Sequence, residues 1–100
     1  MRTYIAERTL HVKNADGEMK EVNLRIGQPY QKEGFWACPL QLIGLFEDLP
    51  DVQGEDSFQA LMLAQNLART LLNALVEKGW SVYSYADKEV EVDTLFQVGI

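Results

Sequence analysis

The chain has 100 residues, one cysteine and a net charge of 9 − 15 = −6 with His11 neutral. That length holds one domain, expected to span the whole chain, and a single Cys excludes an internally disulfide-stapled scaffold. A hydrophobic share of 47% excludes a disordered tail, and the acidic balance argues against nucleic acid, whose binding runs on clustered Lys and Arg.

Arg2, Glu7 and Arg8 interrupt the N-terminus, so no signal-peptide core is read there. No run reaches the about 20 apolar residues of a spanning helix. The expectation is a soluble, cytoplasmic chain with no membrane partner.

The first third predicts a β-hairpin. Residues 3–13 are rich in Thr, Tyr, Ile and Val, and Asn14-Ala15-Asp16-Gly17 is a strong turn signal. In the return strand Val22, Leu24 and Ile26 alternate with Glu21, Asn23 and Arg25. A third strand is predicted over Phe35 to Ile43, with Trp36, Cys38, Leu40 and Leu42 on one face. Pro39 lacks an N–H, so this strand is expected at an edge, at a bulge, or paired on one side at that point.

The helix signal is the clearest. Asp56 is placed to cap, Gln59 to reach back in a capping box, and Lys78-Gly79 to stop the helix after about 22 residues. Ala60, Leu61, Ala64, Leu67, Ala68, Leu71, Leu72, Leu75 and Val76 fill about half the circumference at roughly 100° per residue. Met62 and Leu63 fall outside that arc. One small sheet would cover a narrower stripe, so the helix meets either a second element or a partner chain. Trp80 to Tyr85 reads as a further strand, and Glu89 to Thr94 as a short last one; residues 86–100 are otherwise expected to be loosely ordered. The sum is α+β: an antiparallel β-meander of three strands, one long helix packed on the sheet, then one or two C-terminal strands.

The chemistry-bearing residues are few. Cys38 and His11 could form a thiolate nucleophile, but Cys38 falls on the apolar phase and His11 on the polar phase of another strand. An enzyme using Cys38 is therefore the third-ranked reading. Two Cys or His ligands are too few for structural zinc. Glu47, Asp48, Asp51, Glu55 and Asp56 place five carboxylates in residues 47–56 without EF-hand spacing. No catalytic residue, metal site or cofactor is assigned. Arg8 shares the phase of Ala6, Leu10 and Val12. Its plain reading is a bulge, or a stem on apolar surface with the guanidinium in water; the sharper reading is an ion pair with the acidic loop or an anion site. Tyr83 and Tyr85 put two rings on one side of a strand, which suits an interface or a half-covered core face.

Trp36-Ala37-Cys38-Pro39 continuing to Ile43-Gly44-Leu45, followed by Gly54-x-Asp56-x-x-Gln59-Ala60-Leu61, resembles a family of small uncharacterised bacterial proteins. The resemblance covers roughly Ile5 to Leu75 and implies a bacterial source and a self-contained domain, but no catalytic role. In layout alone the chain also resembles HicB-type antitoxin domains. The leading reading is a non-enzymatic interaction domain whose partner is a second copy or another protein, with Leu63, Tyr83 and Tyr85 among the contact residues. The alternative is an antitoxin- or immunity-like binder of a basic protein through Glu47, Asp48 and Asp51.

Overall fold

The computed structural model describes residues 3–85 and 87–96. In chain order the elements are β1 (Tyr4–Lys13), β2 (Met19–Gly27), β3 (Tyr30–Lys32), β4 (Phe35–Cys38), β5 (Leu40–Ile43), β6 (Val52–Gly54), α1 (Ser57–Glu77), β7 (Ser81–Tyr85), β8 (Lys88–Val90) and α2 (Val92–Leu95). The strands form a five-stranded antiparallel sheet in the order β5-β2-β1-β7-β8 and a three-stranded one in the order β3-β4-β6. The α+β class and the main helix packed on sheet follow the sequence reading.

The hairpin is closed by Asn14, whose side-chain Oδ1 accepts from the backbone N–H groups of Asp16 and Glu18, both at 2.9 Å. From there Val12 pairs with Lys20, Leu10 with Val22 and Arg8 with Leu24. The inner phase buries Leu10, Val12, Val22, Leu24 and Ile26. The outer phase is polar: Thr9 donates to Asn23 Oδ1, and Arg25 meets Gln41, Glu7 and the Tyr4 ring.

The strand count corrects the three-strand meander. The predicted strand over Phe35 to Ile43 is cut in two at Pro39. With no N–H to offer a ladder, Pro39 is where the chain leaves one sheet for the other. Its carbonyl accepts from Gly27 N–H at 2.8 Å, which ties the junction to the end of β2. Strands β3 and β6 were not read from the sequence; each has three residues and no alternation to reveal it. The last predicted strand stops at Val90, and Glu91 starts the short helix α2 in place of strand residues 91–94. Residues 97–100 lie outside the described residues.

Helix α1 packs mainly on β4 and β6 and also meets β2, β5, β7 and α2. The second sheet thus supplies the second element that the wide apolar arc required. Ala60, Ala64, Ala68 and Leu72, one turn apart, form the fully buried seam. Three small side chains let the helix lie close to the strands. Leu61, Leu67, Leu71 and Leu75 flank it half-buried. Among the described residues no helix is long and apolar enough to cross a membrane.

Candidate functional site

The ends of α1 set which of its sides faces outward. Asp56 Oδ1 accepts from Gln59 N–H at 2.7 Å, satisfying one orphan donor of the first turn. Gln59 reaches back as expected, but one residue further: its Oε1 accepts from Glu55 N–H, not from Asp56. At the other end Gly79 N–H bonds Val76 O and Trp80 N–H bonds Leu75 O, each at 3.0 Å. Gly79 sits at φ +94°, the left-handed turn that this double closure requires.

With the alanine seam committed to the sheets, apolar side chains remain bare on the opposite side. Phe58, the second residue of α1, is 72% exposed, and Met62, one turn later, is 49% exposed. Leu63 is 41% exposed on the other flank of the helix. Along the Phe58–Met62 side the helix next meets α2. Arg69 Nε lies 2.9 Å from Asp93 Oδ1, and Asn73 donates to the same oxygen at 3.2 Å. The hydrogen bonds from Asn73 and then Arg69 hold the Asp93 carboxyl below the usual carboxylate range. Beyond this clasp a cleft of about 350 Å³ opens between α1, β7, β8 and α2. Its walls include Val76, Trp80, Val82, Val90 and Val92. Asn73, Ser81, Glu89, Glu91 and Asp93 line the rest, so the apolar wall faces polar side chains that include three carboxylates.

The acidic segment is not one loop, because β6 runs through it. Glu47 Oε1 accepts from Gly44 N–H at 3.2 Å and closes a turn. Asp51 accepts a hydrogen bond from the Tyr30 hydroxyl, beside a groove also lined by Lys32, Phe35 and Gln53. Asp56 is the helix cap. Asp48 and Glu55 are exposed. Glu47, Asp48 and Asp51 are therefore separated in purpose although close in sequence.

Tyr83 lies half-buried opposite His11, with Lys13 Nζ 5.6 Å from its ring centroid. The register shifts between Tyr83 and Tyr85; the Tyr85 side chain lies outside the described residues. Arg8 is exposed on the inner phase opposite Leu24. The strand runs straight through it, and the bulge falls earlier, between Tyr4 and Ala6.

Cys38 is fully buried, with its Sγ 3.4 Å from Gly27 O. Burial, and secondarily the charge of Asp51, pushes its thiol above the ordinary range. His11 belongs to the other sheet and lies 4.0 Å from Glu21. A thiolate nucleophile needs the opposite shift and access. In native protein a thiol reagent is expected to leave Cys38 unlabelled, and labelling should rise together with denaturant unfolding; prompt labelling of the folded state would contradict the burial. No group of three or more His, Cys, Asp or Glu is placed to hold a metal among the described residues.

Phe58 and the cleft were missed by sequence reasoning. Angle alone does not reveal Phe58, since at about 100° per residue it shares the direction of Val76 at the edge of the apolar arc. The cleft had no signal, because it arises where four elements meet.

No curated protein and no solved structure matches the chain. A family model does, over residues 6–91, well past the Leu75 limit of the resemblance carried by the two motifs. The chain belongs to the family defined as a domain of unknown function, DUF6968.

Proposed function

We propose that this chain is a small, non-enzymatic bacterial interaction domain that works in the cytoplasm and self-associates through the outer side of α1. The observation that carries the reading is Phe58, 72% exposed at the start of the helix with Met62 one turn on. Phe58 and Met62 lie one turn apart on one side of the helix, and it is neighbouring exposed apolar side chains, not single ones, that mark interaction surfaces. Aromatic and Met side chains are also the types enriched at interface cores. The antitoxin-like alternative ranks behind, because two of its three acids, Glu47 and Asp51, have local structural partners, which leaves Asp48 alone among the residues named for it.

Sedimentation velocity over a wide concentration range tests the proposal. Wild type should shift to dimer as concentration rises, and Phe58→Asp should stay monomeric. The variant should fold normally, since α1 has no acid in its first turn and a carboxylate there favours the helix dipole. A wild type that remains monomeric throughout would remove self-association. Salt dependence separates the alternative: an acidic docking surface weakens with ionic strength, whereas an apolar one holds.

A further inference from the structure

Strand β1 is ten residues long, yet β7 pairs only with His11, Val12 and Lys13. Residues 4–9 therefore have β2 on one side and, among the described residues, no strand on the other, whereas Leu10 is fully buried. An antiparallel strand aims its N–H and C=O groups alternately to both sides, so this edge offers backbone donors and acceptors to an added strand. Open edges of this kind are usually blunted, and this one carries two such devices. One is the bulge between Tyr4 and Ala6; the other is Arg8, a charge on the inward phase opposite Leu24.

The surroundings of Arg8 define what the edge admits. Beside it is a notch of about 100 Å³ lined by Ala6, Glu7, Arg8, Leu24 and Ile26. Glu7 does not neutralise Arg8: its carboxylate is 3.4 Å from Arg25 on the outer face. A neutral or basic strand laid on this edge would cover the guanidinium without a counter-charge, which is costly. A second copy of β1 would bring its own Arg8 to the same face, so like charges oppose self-pairing here.

The geometry points to an extended acidic peptide segment as the occupant of the β1 edge. Its backbone continues the five-stranded sheet, an apolar side chain fills the notch, and a carboxylate two positions along meets Arg8. Arg8 is then the selectivity residue. The surface is separate from the Phe58 side of α1, so either proposal stands if the other falls.

Two blocked peptides alternating valine and threonine test this, one with a central glutamate and one with lysine in its place, titrated into isotope-labelled protein. Amide shifts should concentrate in residues 4–9. The glutamate peptide should bind roughly fivefold to tenfold tighter, the swing expected when one cross-strand charge pair changes sign. Arg8→Glu should reverse the order. Equal affinity of wild type for both peptides, shifts centred outside β1, or concentration-dependent pairing of β1 without peptide would each overturn the inference. The wild-type comparison decides even if the variant folds poorly.

Discussion

Replacing Gly54 by alanine should destabilise the fold by about 3 kcal/mol, the upper part of the usual range for overpacking. A Cβ added there would lie 2.4 Å from Ala60 N, 2.8 Å from Ala60 Cα and 3.0 Å from the Gln59 carbonyl carbon. All three are backbone atoms in the first turn of α1, so no side chain can swing aside. The pressure can be relieved only by lifting the helix off β6, where Gly54 pairs with Trp36. Gly→Ala also stiffens the unfolded chain, worth about 0.4–1 kcal/mol in the stabilising direction. That gain is smaller than the clash and loses. Chemical denaturation measures the difference. Adding Ala60→Gly should give no rescue, because the obstruction is the Ala60 backbone and not its methyl group. A Gly54→Ala protein as stable as wild type would show that α1 does not rest on β6 this closely.

The same contact gives the second motif of the resemblance a physical meaning. Gly54 admits the helix, Asp56 caps it, Gln59 ties back to Glu55, and Ala60 begins the buried seam. The first motif is likewise a junction. Cys38 approaches Gly27 O, and an added Cβ on Gly27 would meet the Pro39 ring at 2.6 Å. Both motifs lie where the two sheets and the helix pack together.

What the sequence made legible follows from range. The caps of α1, its stop at Gly79 and the β1–β2 hairpin depend on neighbours a few residues apart, and periodicity reports those directly. Sheet membership does not work that way. Alternation put Trp36, Cys38, Leu40 and Leu42 on one face of one strand, but the missing N–H of Pro39 divides them between two sheets. Pairing of β7 with β1 joins Tyr83 to His11, a separation that no local pattern encodes. The candidate surface was half legible for the same reason. Leu63 and Met62 fell outside the arc by angle alone, whereas the exposure of the β1 edge depends on how short a contact β7 makes.

Leu72 and Val76 show where periodicity stops discriminating, since both fall in the same apolar arc one turn apart. In the fold Leu72 is fully buried at the end of the alanine seam, and Val76 is 43% exposed on the rim of the cleft. Leu72→Ala should therefore cost about 3 kcal/mol, within the 2–5 kcal/mol range for truncating a buried leucine. For a domain this size that corresponds to a fall in Tm of about 15 °C. Val76→Ala removes two methyl groups already half in water and should cost less than about 1 kcal/mol. The sheets cannot close on the vacated space around residue 72 without moving α1, which is held at one end by the Asp56 cap and along its side by Arg69 and Asn73 on Asp93. Thermal unfolding of the two single variants measures both costs. Equal losses at 72 and 76 would mean that the helix is rotated about its axis relative to this fold, and the exposure assigned to Phe58 and Met62 would have to be redrawn with it.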